Sequence, residues 1–178
     1  MSPTSCRRVA ASILAAALSM SAGSLHAQSA ASLGIAAGAT LPVSSYGDDK
    51  DLGYHLGLVL DVRLPTSMFG FRVDGTFTEM KYSSNSTKDQ IWSATFNALL
   101  KVPSTTTIAP YVIGGAGIYN RHRTLFLGNN ATTNPGLNVG GGFRFHLTEM
   151  TAFLEARYHR VSGDNGIQIV PISFGIVF

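Results

Sequence analysis

Cysteine is almost absent from this 178-residue chain: one residue, Cys6, lies ahead of an apolar run near the start. A disulfide framework and a thiolate metal site are both excluded. Charge is scarce too, at 13%, about half the roughly 25% of an ordinary soluble domain. Beyond its opening segment the chain has no run approaching the ~20 apolar residues of a membrane-spanning helix. Disorder is excluded from the other side, because 45% of the residues are apolar and 10% aromatic, ample material for burial. The chain is thus too apolar for an ordinary soluble surface, yet carries no helix to insert. Its length suits one domain.

The opening segment stands apart. Arg7 and Arg8, the apolar run Val9 to Ala17, and Leu25-His26-Ala27 before Gln28 follow one another in order. A basic start, a short apolar middle and a small-residue end describe a cleavable, helical signal peptide. Residues 1–27 are therefore expected to be removed, leaving 28–178 as a single domain. Cys6 precedes the apolar run, so it is not placed for lipid attachment. Cleavage takes two arginines, reducing Lys+Arg from 13 to 11 against 10 Asp+Glu. A nucleic-acid partner then loses its electrostatic basis.

From residue 32 onward, apolar residues fall at every second position. One set is Leu33, Ile35, Ala37, Ala39, Leu41 and Val43; another is Tyr54, Leu56, Leu58, Leu60, Val62 and Leu64. Phe69, Phe71, Val73 and Phe77 follow, then Trp92, Ala94, Phe96, Ala98, Leu100 and Val102. Later sets are Leu137, Val139, Phe143, Phe145 and Leu147; Ala152, Leu154, Ala156 and Tyr158; and Val170, Ile172, Phe174, Ile176 and Phe178. Period two is strand geometry and cannot make an amphipathic helix. With the run from Ala109 to Asn120 the chain predicts eight strands and no helix. That fifth run is apolar or glycine on both faces, so its phase stays open.

The connections alternate in length. Ser44–Leu52, Ser83–Gln90, Arg121–Pro135 and Ser162–Gln168 read as long polar loops; Pro65–Met68, Pro103–Thr107 and Thr148–Thr151 read as short turns. Long and short links therefore gather at opposite ends of an up-and-down meander, as in outer-membrane barrels. A soluble, lipocalin-like barrel is the competing arrangement. It is disfavoured because so many bulky rows overfill an eight-stranded interior. The alternate positions also lack the Lys and Glu that a soluble exterior carries. A twelve-residue strand at ~3.3 Å per residue, tilted ~40°, spans about 30 Å, enough for the apolar band of roughly 25 Å. The expected fold is an all-β, eight-stranded antiparallel transmembrane barrel.

The run Val170-x-Ile172-x-Phe174-x-Ile176-x-Phe178, with Pro110-Tyr111-Val112-Ile113-Gly114-Gly115-Ala116-Gly117 and Glu155-Ala156-Arg157-Tyr158, resembles the small OmpA/OmpX-like outer-membrane barrels of Gram-negative bacteria. The resemblance covers essentially all of 28–178. It implies outer-membrane location, periplasmic termini and extracellular long loops. Outer-membrane lipid is the implied surrounding, with periplasmic chaperones and the barrel assembly machinery as partners in biogenesis. Phe174, Ile176 and the terminal Phe178 are implied to form the assembly signal. The peptidoglycan-binding domain of some relatives is expected to be absent.

Chemistry-bearing residues are few. Gly114-Gly115-Ala116-Gly117 and Gly140-Gly141-Gly142 lack the Lys-Ser/Thr and helix start of a phosphate loop, and read as strand glycines. His55, His122, His146 and His159 have no metal-ligand spacing. Neither a metal nor a cofactor is expected. The constellation that stands out is charge on the inward phase: Asp61, Arg63, Arg72 and Asp74 around one turn, Arg144, Glu155 and Arg157 around another. Such charges survive burial only when paired. A two-residue turn at Glu149-Met150 sets Arg144 opposite Glu155. The expected protein is a monomeric, non-enzymatic barrel with a packed polar lumen, serving envelope integrity, surface interaction or limited permeation. A lipid-modifying enzyme is the alternative, with His159, Ser162 and Asp164 its nearest approach to a triad. Arg121, His122 and Arg123 form a basic cluster at the start of the third long loop.

Overall fold

The computed structural model describes residues 31–64, 67–82, 88–103, 107–125, 128–163 and 166–178. The expected signal peptide and its cleavage point lie outside them. Eight antiparallel strands close into a single barrel, each hydrogen-bonded to its sequence neighbours and the last to the first. They are β1 (Ala31–Pro42), β2 (Gly53–Arg63), β3 (Phe69–Lys81) and β4 (Lys88–Lys101), then β5 (Ile108–Leu125), β6 (Gly128–His146), β7 (Thr151–Val161) and β8 (Gln168–Val177). A 3₁₀ turn at Ser44–Tyr46 is the one helical element among the described residues. Pairing Gly34 with Val177 and Ala31 with Val62 puts both barrel ends of the chain at the short-turn end.

The apolar rows face outward, as the alternation predicts. Leu58 is 61% exposed, Phe96 58% and Leu137 68%, while Asp61, Arg72 and Glu155 on the alternate phase are buried. The open phase of β5 is now fixed: Tyr111, Ile113 and Tyr119 point inward and Val112 and Ile118 outward. Apolar side chains stand on both faces because Tyr111 and Ile113 pack inward with Leu99, and Tyr119 inward with the apolar cluster at the long-loop end.

Two expectations are corrected. Arg121–Pro135 is not a loop: β5 and β6 continue as a paired hairpin as far as Leu125 and Gly128. The segment reads as loop because Arg121–Thr124 and, apart from Ala131, Gly128–Asn134 carry no apolar residue to alternate with. The β6–β7 register is also shifted by two. Arg144 lies opposite Phe153, Gly142 opposite Glu155 and Gly140 opposite Arg157. The turn tightens one residue earlier than expected, the Leu147 N–H donating to the Met150 carbonyl at 2.9 Å. Arg144 and Glu155 are therefore not cross-strand partners.

Large inward side chains then meet glycines. A Cβ on Gly140 would sit 2.1 Å from the Ala156 carbonyl oxygen, and one on Gly175 would lie 2.3 Å from the Phe153 ring.

Candidate functional site

The lumen fills in three layers. Nearest the short turns is a network of three carboxylates and three guanidiniums. Arg72 donates through Nε to Asp61 Oδ1 at 2.6 Å and through Nη1 to Glu155 Oε2 at 2.9 Å. Arg144 reaches Asp61 Oδ2 at 2.5 Å. Arg157 donates to Asp74 Oδ2 at 2.9 Å, and its Nε lies 2.7 Å from Glu155 Oε1. Asp61 and Arg72 face each other on β2 and β3. The remaining links, apart from the one within β7, cross the lumen between β2–β3 and β6–β7.

Six of the seven expected lumen charges thus join one continuous chain. Arg63 does not; it lies half-buried at the rim, with its Nη2 3.4 Å from the Ser32 hydroxyl. Residues without charge complete the layer. The Tyr111 hydroxyl donates to Glu155 at 2.6 Å and the Asn97 amide to Asp74 at 2.7 Å. The Phe153 ring centroid is 4.5 Å from the Arg72 guanidinium carbon, and the Tyr111 ring 5.2 Å from that of Arg144. Asn97 was on the expected inward phase and legible as a partner; Tyr111 was hidden by the phase ambiguity of β5.

Above this layer His55 bridges Thr40 (2.9 Å) and Ser173 (2.8 Å), and His159 Nδ1 meets the Tyr119 hydroxyl at 2.8 Å. A cavity of about 20 Å³ touches Asp74, Arg157, His55, His159 and Ser173. That is room for water rather than for a solute.

The third layer closes the long-loop end. Tyr46, Met80, Ile91, Tyr119, Val161, Ile167 and Ile169 make an apolar cap. The Tyr46 hydroxyl donates to Asp89 Oδ2 at 2.8 Å, and Arg121 Nε bonds the same carboxylate at 2.8 and 2.9 Å. Lys50 Nζ sits 3.9 Å from the Tyr46 ring centroid. Burial raises the pKa of the Tyr46 phenol, and the adjacent Asp89 charge adds to the shift. Arg121, expected in a basic loop cluster, is instead an inward cap residue; His122 points outward and is exposed.

Two residues of the trio named for the enzymatic alternative, His159 and Ser162, are not brought together. His159 is buried in the lumen against Tyr119, Ser162 is exposed at the rim, and Asp164 lies outside the described residues. The Ser173–His55 contact is also buried inside the barrel, away from the outward face.

A closed barrel with apolar side chains turned outward and a paired charge network inside is an integral membrane β-barrel. The model of the outer membrane protein beta-barrel domain family matches residues 12–177, and the chain belongs to that family. No curated protein matches it. Among solved structures it is similar to Neisserial surface protein A, at 20% identity and a TM-score of 0.67, covering 83% of this chain and 94% of that one. The outer membrane enzyme PagL aligns at 16% identity and a TM-score of 0.57, covering 81% and 97%. The N-terminal barrel domain of Pseudomonas aeruginosa OprF aligns at 15% and 0.51, covering 83% and 97%. At these identities the likeness is one of fold.

Proposed function

We propose that this protein is a solute-tight, non-enzymatic outer-membrane barrel that anchors its long loops and the β5–β6 hairpin at the cell surface, with both termini periplasmic. The observation that carries this reading is the packed lumen. Arg72 is fully buried between Asp61, Glu155 and Phe153, and the cap around Tyr46 and Asp89 lies across the other end. An interior of eight strands has room for side chains and little else. Envelope integrity and surface interaction follow from such a body more readily than permeation. In proteoliposomes the protein should leave sugar-driven swelling at the rate of empty vesicles. Swelling that falls with solute size would establish a pore instead.

The periplasmic placement rests on the short turns sharing an end with the start of β1 and the end of β8, an arrangement typical of these barrels. On intact cells a tag at 126 should be accessible to protease and a C-terminal tag should not. The enzymatic alternative has one motive, the fold likeness to PagL. Against it, the Ser173–His55 contact and His159 all lie in the lumen, out of reach of lipid. Mass spectra of lipid A from cells with and without the protein should coincide; a missing or added acyl chain would revive the enzyme reading.

A further inference from the structure

We propose that the short-turn mouth of the lumen binds an oxyanion, a phosphate or carboxylate group arriving from the solution at that end, through Arg63, Lys101 and Arg144. The strand register gathers these residues. Asp61 lies opposite Arg72, and two residues nearer the mouth, on the same inward phase, Arg63 lies opposite Gly70. Lys101 stands on β4, opposite Tyr111. Gly70 has no side chain to separate the two cations, and Lys101 Cε lies 3.9 Å from the place a Cβ on Gly70 would occupy. Arg144 joins them from β6, its guanidinium carbon 5.2 Å from the Tyr111 ring centroid.

Charge at this end is in surplus. Deeper in the lumen Asp61, Asp74 and Glu155 offset Arg72, Arg144 and Arg157 one for one. Arg63 and Lys101 stand outside that balance. Among the described residues neither has a carboxylate within ion-pair distance. The charges that bear on the Lys101 ammonium are those of Arg144, Arg63 and Asp61, and Asp61 already serves two guanidiniums. The short links at this end, Pro65–Met68, Pro103–Thr107 and Leu147–Met150, carry a single carboxylate, Glu149, which is exposed.

Unused donors identify the ligand. Arg144 is only 5% exposed; its Nη2 bonds Asp61, but its Nε finds no acceptor. Arg63 Nε is buried and equally unpaired, while its Nη2 reaches no further than the Ser32 hydroxyl at 3.4 Å. A buried N–H left without an acceptor costs free energy. Planar guanidinium donors match the oxygens of a phosphate or carboxylate, which a monatomic anion does not offer. All three cations stand on the inward phase, which favours a group arriving from solution over a lipid headgroup. That this solution is the periplasm rests on the orientation proposed above; the site itself does not.

The full chain would be folded into micelles of a neutral maltoside detergent, which brings no phosphate of its own. Sodium phosphate would then be titrated in at constant ionic strength while the arginine Nε–H resonances are followed by NMR. The signals of Arg63 and Arg144 should shift along a saturating one-site curve. The urea midpoint should rise with phosphate as well, because only the folded chain holds the site. Sodium chloride at the same ionic strength should do neither. Lys101→Gln should weaken phosphate binding roughly tenfold, the scale of one lost charge-assisted contact, and Lys101→Arg should retain it, with folding checked by heat-modifiable gel mobility. The comparison of anions uses the unaltered protein and decides the matter even where a variant does not fold. Equal, unsaturating shifts with both salts would reduce the effect to screening and overturn the site; so would an undiminished phosphate curve in folded Lys101→Gln. Shifts caused by phosphatidylglycerol doped into the micelles, but not by free phosphate, would overturn it too and assign the cations to headgroups. An accessible C-terminal tag on intact cells, beside a saturating phosphate curve, would reverse the orientation and leave the site standing.

Discussion

Asp61 accepts from both Arg72 and Arg144, and Glu155 accepts from Arg72 and Tyr111. Each carboxylate therefore serves a guanidinium on another strand, and its removal strands that cation in a dry interior. Breaking one partner of such a buried pair costs about 3–5 kcal/mol. Asp61→Asn should destabilise the barrel by that order in urea unfolding from detergent. In a double-mutant cycle Asp61 should couple strongly to Arg144, and Glu155 to Arg72, whereas Arg144 with Glu155 should come closer to additive. Strong direct coupling between Arg144 and Glu155 would restore the register expected from the sequence. Inward placement of these charges was legible, because period two assigns a face to every residue of a strand. Their partners were not. Arg144 meets Asp61 across the barrel, and no spacing along the chain reports a contact made across a lumen.

At the scale of the strand, glycine chemistry separates the positions that pack from those that do not. Gly140 lies under Arg157, and its Cβ would collide with the Ala156 carbonyl oxygen at 2.1 Å, whereas a Cβ on Gly75 meets nothing within 4 Å. Gly140→Ala should cost about 1–3 kcal/mol, the range of overpacking. Gly75→Ala should be neutral or slightly stabilising, by up to about 1 kcal/mol through the unfolded chain. Equal effects in urea titrations would mean that the sheet relaxes freely around both. The cap is a second element-scale device. Tyr46 holds the β1–β2 connection to β4 through Asp89, a bond to a charged acceptor worth about 1.5–3 kcal/mol. Tyr46→Phe should speed proteolysis within residues 47–52 while heat-modifiable mobility is unchanged; an unaltered nicking rate would remove the cap role. β5 and β6 mark where reading by alternation stopped. Tyr111 and Ile113 are apolar inside and Val112 and Ile118 apolar outside, so period two vanishes although the strand is regular. Beyond Asn120 the paired arms Arg121–Thr124 and Gly128–Asn134 offer almost no apolar contrast, and the hairpin they form reads as a loop.

The whole molecule is a sheet closed on itself, β1 paired with β8, and closure is what leaves no unsatisfied strand edge within the apolar band. That constraint acts on folding as well as on the finished structure, since an unclosed sheet cannot rest in lipid. Phe178 sits at the seam. Its N–H donates to the Leu33 carbonyl at 2.8 Å, while its side chain is 68% exposed and outward, continuing the row of Phe174 and Ile176. Such a side chain meets lipid more than protein. Truncating it forfeits little of the packing loss of about 3–5 kcal/mol that a core Phe→Ala change brings. The backbone bond to Leu33 survives the change as well. Phe178→Ala should therefore leave the refolded yield and urea midpoint of purified protein in detergent nearly unchanged. In cells the resemblance to the family's terminal signal leads to a different expectation: the folded, heat-modifiable form should fall several-fold while unfolded chain accumulates in the periplasm. The two assays separate recognition from packing. A parallel loss in both would make Phe178 an ordinary stabilising residue at the seam, and normal assembly in cells would mean that recognition does not depend on this side chain.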